Sequence, residues 1–75
     1  MPKYYKILDK NIIGRQDSMF DCYIYDSKKG WVWDKDRILM DRIIGYDGDS
    51  IGSTDMMLRI EQISEKEALE LIEKL

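Results

Sequence analysis

A short acidic segment rich in glycine is the first candidate for chemistry, because its spacing is related to that of a calcium-binding loop. Such a loop places oxygen ligands at its first, third and fifth positions, glycine at the sixth and glutamate at the twelfth. The segment Asp47-Gly48-Asp49-Ser50-Ile51-Gly52 matches the first, third and sixth positions, but Ile51 and Leu58 occupy the fifth and the twelfth. The pattern therefore favours a solvated turn. The alternative is a weak divalent-cation site formed by Asp47, Asp49 and Asp55.

Acidic pairs and a single cysteine are the candidates for catalysis. Asp34 and Asp36 precede Asp41, but a catalytic carboxyl pair needs a cleft that desolvates one member, which a chain of 75 residues rarely provides. Cys22 follows Asp21, whose negative charge disfavours the thiolate. The chain contains no histidine, the commonest general base and metal ligand. We therefore predict no enzymatic activity, no cofactor or metal site, solubility and capping roles for the aspartates, and a packed or edge thiol at Cys22.

Aromatic side chains are concentrated on both sides of one turn. The turn sequence Ser27-Lys28-Lys29-Gly30 predicts a β-hairpin. A three-residue loop with Gly30 in the left-handed conformation would place Ser27 opposite Trp31 and Tyr25 opposite Trp33. Because side chains alternate along a strand, this hairpin carries four aromatic residues on one face: Tyr23, Tyr25, Trp31 and Trp33.

These four aromatic residues are the candidate partner-binding site, and two interpretations of them stay open. A small sheet covered by one helix needs large side chains to fill its core, so the aromatic face can be core. Tyrosine and tryptophan also dominate the hot spots of protein interfaces, so the same face can be a surface that binds a partner.

The remaining elements are predicted from the alternation and spacing of apolar residues. Four stretches read as strands or as a strand continuation, and one polar stretch reads as a connection. The strands are Lys3–Leu8, Met19–Asp26 and Asp55–Ile63. The segment Ile12-Ile13-Gly14 continues the sheet or forms a bulge, and residues 15–18 form the connection. Residues 46–54, rich in glycine, aspartate and serine, read as a loop.

Two helices are predicted from capping residues and apolar spacing. The first lies within residues 34–44, with Asp34 or Asp36 as its cap and Gly45 at its end. The second follows Ser64, which forms a capping box with Glu67. Its apolar stripe consists of Ala68, Leu69, Leu71, Ile72 and Leu75.

The length and these elements together predict one domain over residues 1–75. Its fold class is α+β: an antiparallel sheet of three or four strands, a C-terminal helix packed on one face, and a short middle helix.

Charge and cysteine content exclude several classes of protein. Twelve lysines and arginines against fifteen aspartates and glutamates give a net charge of −3, whereas duplex-binding domains usually carry a basic excess. One cysteine forms no internal disulfide, and no apolar run is long enough for a signal peptide or a membrane span. We therefore predict a cytoplasmic protein with no nucleic-acid or membrane partner.

Three segments resemble small uncharacterised proteins of low-GC Gram-positive bacteria that are often associated with mobile elements. The segments are Tyr4-Tyr5-Lys6-Ile7 with Ile13-Gly14-Arg15, Leu39-Met40-Asp41-Arg42-Ile43-Ile44-Gly45-Tyr46-Asp47, and Ile60-Glu61-Gln62-Ile63-Ser64-Glu65-Lys66-Glu67-Ala68. The resemblance implies a bacterial cytoplasmic accessory protein. It implies no functional residues, because that group has no established activity.

The expected function is that of a small accessory protein acting as a protein-interaction module. Its unidentified protein partner would bind the aromatic face of the hairpin or the loop from Gly45 to Asp55. The alternative is a protein that binds a small ligand or a divalent cation through the acidic loop 45–55.

Overall fold

A five-stranded antiparallel sheet forms the centre of the protein. The computed structural model describes residues 1–75. The strands are β1 (Lys3–Ile7), β2 (Ile12–Ser18), β3 (Asp21–Asp26), β4 (Gly30–Trp33) and β5 (Ile60–Ile63). Their order across the sheet is β4-β3-β2-β1-β5, and all neighbours are antiparallel. The α+β class is confirmed, but the prediction of three or four strands was too low by at least one.

The polar residues 15–18, predicted to be a connection, are the second half of β2. This strand lies between β1 and β3, so its backbone is paired on both sides: Gln16 lies opposite Lys3 on one side and Cys22 on the other. The prediction was wrong because pairing on two edges stabilises a strand whose own side chains are polar.

The stretch from Asp55 to Ile63 was predicted to be one strand, and only its end is a strand. Its beginning belongs to the short helix α2 (Thr54–Met57), and β5 follows after a turn. The Ser53 hydroxyl accepts a hydrogen bond from the backbone N–H of Met56 at 3.5 Å, which caps α2. The alternation of apolar and polar residues was therefore misleading here, because a cap starts a helical turn before the strand can begin.

One helix lies on each face of the sheet. Helix α1 (Ile38–Ile44) packs on the face that carries Tyr5, Ile7 and Cys22, and helix α3 (Glu65–Glu73) packs on the opposite face. We call these the α1 face and the α3 face. The predicted C-terminal helix and middle helix are both confirmed, and they form two separate layers on either side of the sheet.

The α1 face holds the larger core cluster. Ile7 and Leu39 are fully buried, and Leu39 packs so close to Gly14 in β2 that a Cβ atom there would lie 2.9 Å from its Cδ2. Glycine at position 14 is therefore what allows α1 to approach the sheet. The cluster consists of Tyr5, Ile7, Cys22, Leu39 and Met40.

Helix α1 ends at Gly45, as the sequence indicated, whereas its N-cap position is Arg37, at φ +57°, and the capping carboxylate comes from Asp34. The buried Asp34 carboxylate accepts hydrogen bonds from the backbone N–H groups of three residues in the first turn, at 2.8, 2.8 and 3.0 Å. Gly45 ends the helix at φ +73°, where a Cβ atom would lie 2.7 Å from the backbone nitrogen of Ser53. Asp34, and not Asp36, is thus the residue that satisfies the N-terminal donors.

Helix α3 is held by a local cap and by a narrow apolar contact. The Ser64 hydroxyl accepts a hydrogen bond from the N–H of Glu67 at 3.1 Å, and the reciprocal bond of a capping box is not formed. In the predicted apolar stripe only Ala68 is buried, Leu71 and Ile72 are half-buried, and Leu69 is exposed. The longest helix has nine residues, and no helix could cross a bilayer.

An ion-pair network joins the turn after β1 to α1. Both carboxylate oxygens of Asp9 accept hydrogen bonds from the Arg42 guanidinium, at 3.0 and 2.7 Å. Arg42 also donates to the carbonyl of Ile38 at 2.8 Å. This contact holds the pKa of the Asp9 carboxyl below its usual value, mainly because the bonds from Arg42 favour the charged form.

Candidate functional site

The β3–β4 hairpin carries the predicted aromatic face, in a register that differs from the prediction. Asp26 lies opposite Gly30, Tyr25 opposite Trp31, and Tyr23 opposite Trp33. The predicted pairing, with Tyr25 opposite Trp33, was wrong by two residues. The Asp26 carboxylate accepts hydrogen bonds from the N–H groups of residues 28 and 29, at 2.8 and 2.9 Å. The loop of the hairpin therefore consists of residues 27–29.

The shift of two residues leaves the two faces of the hairpin unchanged, because side chains alternate with a period of two. Gly30 has φ +81°, as predicted. The predicted site residues therefore do share one face of the sheet, the α3 face. They are Tyr23, Tyr25, Trp31 and Trp33.

The four aromatic rings form two edge-to-face pairs across the strands. The centroids of Tyr25 and Trp31 are 5.4 Å apart with an interplanar angle of 77°, and those of Tyr23 and Trp33 are 5.7 Å apart at 84°. This is the arrangement in which the positive ring edge meets the negative ring face. Tyr4 of β1 extends the row, with its centroid 6.1 Å from that of Trp31.

Arg15 of β2 lies among these rings and was not anticipated from the sequence. Its guanidinium carbon is 4.7 Å from the centroid of Tyr23 and 4.8 Å from that of Trp31, within the range of cation–π attraction. Asp17 accepts two hydrogen bonds from the same guanidinium, at 2.8 and 3.1 Å, which orients its plane. Arg15 is two residues from Ile13, so the two side chains lie on the same face of a strand. The place of Arg15 on this face could have been predicted if all of β2 had been recognised as a strand.

We call this set the aromatic strip. It consists of Tyr4, Arg15, Tyr23, Tyr25, Trp31 and Trp33. Tyr4 joins it to α3, because its hydroxyl donates a hydrogen bond to the Glu65 carboxylate at 3.1 Å. Burial, and then this contact, raise the pKa of the Tyr4 phenol.

Helix α3 covers only part of the strip. It packs on β1 and β2, and the half-buried rings of Tyr25 and Trp31 border its core cluster. Trp33, at the other end of the edge strand β4, is 53% exposed. Tyr25 and Trp31 thus pack against the core, Tyr23 is half-buried, and Trp33 is open to solvent.

The acidic loop 45–55 uses its carboxylates for local structure. Asp47 accepts hydrogen bonds from the N–H groups of Asp49 and Ser50 at 3.0 and 3.1 Å, which lower the pKa of its carboxyl. Asp55 forms an ion pair with Arg59 at 2.9 Å. The chain brings no three potential metal-ligating side chains together. The loop is thus a series of turns leading into α2.

The other residues considered for catalysis have structural environments. Asp34 caps α1, as described above, and Asp41 forms an ion pair with Arg37 at 2.8 Å. Cys22 is buried, as predicted, and its pKa is raised to about 11, chiefly by burial and then by the nearby charge of Asp34. A thiol in this environment stays protonated at neutral pH.

Comparison of the chain with protein-family models, with curated proteins and with solved structures gives no match. The geometry of the aromatic strip and of its surroundings is therefore what supports a function.

Proposed function

We propose that the protein is an interaction module whose aromatic strip binds an amphipathic helix of a partner protein. The observation that carries this proposal is the incomplete helical layer on the α3 face: α3 packs on β1 and β2, whereas Trp33 at the edge strand β4 stays exposed. Sheets normally bury an apolar face against another layer, and a partner helix beside α3 would complete it.

The width of the β3–β4 hairpin matches that of one helix. Neighbouring strands are about 4.8 Å apart, so two strands with their flanks present a band of roughly 10 Å. A helix with its side chains is ~10–12 Å across. The exposed ring of Trp33 would then contact the apolar stripe of the bound helix, as tryptophan does at the centre of many interfaces.

Charge favours a partner helix with a basic flank. Helix α3, which would lie beside it, carries four glutamates and one lysine within Glu65–Glu73, and the whole chain has a net charge of −3. Complementary charge accelerates association and selects the orientation of the partner more than it adds affinity.

The cellular setting of the proposal follows the resemblance: a bacterial cytoplasmic accessory protein, associated with mobile elements. A buried, protonated Cys22 as the single cysteine agrees with a reducing compartment.

A site-specific photo-crosslinking experiment tests the proposal. A benzophenone amino acid would replace Trp33, which lies on the strip, or Phe20, which is an exposed aromatic residue in the β2–β3 turn. Both variants would be exposed to a lysate of the host and the crosslinked peptides identified by mass spectrometry. We expect position 33, and not position 20, to crosslink to a helical segment with an apolar stripe and a basic flank.

Two results would contradict the proposal. Equal crosslinking from both positions would mean that the strip has no selectivity. Crosslinks from position 33 to a second copy of the chain would mean self-association in place of partner binding, which sedimentation analysis at rising concentration would then measure.

A further inference from the structure

A groove on the α1 face lies on the side of the sheet opposite the aromatic strip. Its volume is about 510 Å³, and it is bounded by the C-terminal half of α1, by the start of β1 and by the end of β2. Its apolar wall includes Met19, Met40, Ile43 and Ile44. Pockets of about 300–1,000 Å³ with mostly apolar walls and a few polar groups are typical of small-molecule sites, and methionines adapt their shape to a ligand.

Tyr5 supplies an unused polar group in this groove. The residue is only 8% exposed and lines the groove, yet its hydroxyl makes no hydrogen bond within the protein. The hydroxyls of Tyr4 and Tyr46, by contrast, each donate to an oxygen atom at 3.1 Å. Since no fully buried side-chain oxygen or nitrogen lacks a partner, the Tyr5 hydroxyl must be accessible to solvent, and Tyr5 lines the groove. Burial raises its pKa, so it remains a donor at neutral pH.

Lys3 supplies a positive charge beside it. It precedes Tyr5 by two residues in β1, on the same side of the sheet, and it also lines the groove. Lys3 forms no ion pair, and the carboxylate of Asp17, the acidic residue of the groove, is bound by Arg15 at 2.8 Å. Lys3 and Tyr5 therefore both line the groove without an anionic partner, and an ammonium with a phenolic hydroxyl suits a carboxylate.

We propose that the groove binds a small carboxylic acid with a hydrocarbon chain. The carboxylate accepts hydrogen bonds from the Tyr5 hydroxyl and the Lys3 ammonium, and the chain lies along Met19, Met40 and Ile43. This site is on the face opposite the aromatic strip, so it is independent of the proposed helix-binding function.

Isothermal titration with decanoate, below its micelle concentration, tests the site, with decanol as the uncharged probe of equal length. We expect saturable binding of decanoate and binding of decanol at least tenfold weaker. Tyr5→Phe, which removes only the hydroxyl, should weaken decanoate binding about tenfold. Lys3→Gln should weaken it severalfold, with a smaller loss at high salt. The matched control is Lys6→Gln, because Lys6 lies on the other face of β1. This variant should bind decanoate as tightly as the unchanged chain does.

A second measurement places the ligand. With methyl-labelled methionine, decanoate should shift the NMR signals of Met19 and Met40, and leave that of Met57, which does not line the groove. Tryptophan emission should stay constant, because Trp31 and Trp33, the two tryptophans of the chain, lie on the α3 face. Equal affinity for acid and alcohol, no change in Tyr5→Phe despite an unchanged melting curve, or no binding at millimolar concentration would each overturn the proposal.

Discussion

The two faces of the sheet are closed in different ways. On the α1 face, a helix of seven residues buries Leu39 completely, approaches the backbone at Gly14, and takes its cap from Asp34. On the α3 face, a longer helix of nine residues buries only Ala68 among its own side chains. The shorter helix therefore buries more of its own side chains, Leu39, Met40 and Arg42, than the longer one does.

This difference separates stability from binding. A close-packed contact loses dispersion energy and apolar burial with every atom removed, so the α1 face tolerates little change. The α3 face leaves half-buried rings at its outer side, where a change costs the fold less and alters the surface more.

Leu39→Ala should have the largest effect on stability. Leu39 is fully buried on the α1 face, and a cavity there should lower the free energy of unfolding by about 2–5 kcal/mol. The matched change on the α3 face, Leu71→Ala, removes a half-buried side chain and should cost about 1 kcal/mol. Urea denaturation followed by circular dichroism measures both, and equal losses would mean that the two faces are packed alike.

Asp34→Ala should have the next largest effect, because it leaves three backbone N–H groups at the start of α1 without their acceptor. We expect a loss of about 2 kcal/mol in the free energy of unfolding. Asp36→Ala is the control: this exposed side chain makes no hydrogen bond, and its loss should change stability by less than ~0.5 kcal/mol. Thermal melts of similar midpoint for the two variants would contradict the capping role of Asp34.

Ser64→Ala should cost about 1 kcal/mol, since its hydroxyl accepts one hydrogen bond at the start of α3. The loss should be smaller than in Asp34→Ala, because Ser64 accepts one backbone hydrogen bond and Asp34 accepts three. Hydrogen exchange would resolve it by region: Ser64→Ala should speed exchange in α3 and leave α1 protected. Faster exchange in both helices would show that the two faces unfold together, against the separation drawn here.

The smallest effect concerns pH and the Asp9–Arg42 contact. The pKa of Asp9 is lower in the folded protein than in the unfolded chain, where it is about 3.9, so the folded state binds fewer protons. This contribution to stability is complete above the unfolded pKa and is lost as the pH falls through the folded pKa. Asp9→Asn should therefore flatten the decline of the melting temperature below pH 5.

A weaker dependence should persist in Asp9→Asn, because backbone N–H groups also lower the pKa values of Asp26 and Asp47. A variant with the same acid profile as the unchanged chain would show that the ion pair contributes nothing measurable.

Much of the architecture could be predicted from residues that act on their near neighbours. Ser64 as a cap, Gly45 as a helix end and the turn before Trp31 were all indicated by interactions within a few positions. The register of the hairpin was missed by two residues because the Asp26 carboxylate, and not the position of Gly30 alone, sets the loop. The aromatic site residues survived that error because an even shift preserves their face.

Other features could not be read from local patterns. The strand character of residues 15–18 depends on two flanking strands, and α2 interrupts an alternation that otherwise favours a strand. Arg15 became part of the site only through rings supplied by β3 and β4. Such contacts depend on which segments of the chain pack together. The residues next to each side chain in the sequence do not indicate these contacts.

By itself, the sequence determined the α+β class, the capped ends of α1 and α3, and the grouping of four aromatic residues on one face, since each depends on turns, caps or alternation over a few residues. Only the tertiary structure decided that β2 is central, that Trp33 stays exposed beside α3, and that Tyr5, with no partner for its hydroxyl, lines a groove. These features arise from contacts between residues as far apart as Tyr4 and Glu65, 61 positions along the chain. The stability of these features depends on packing between segments that are distant in the sequence.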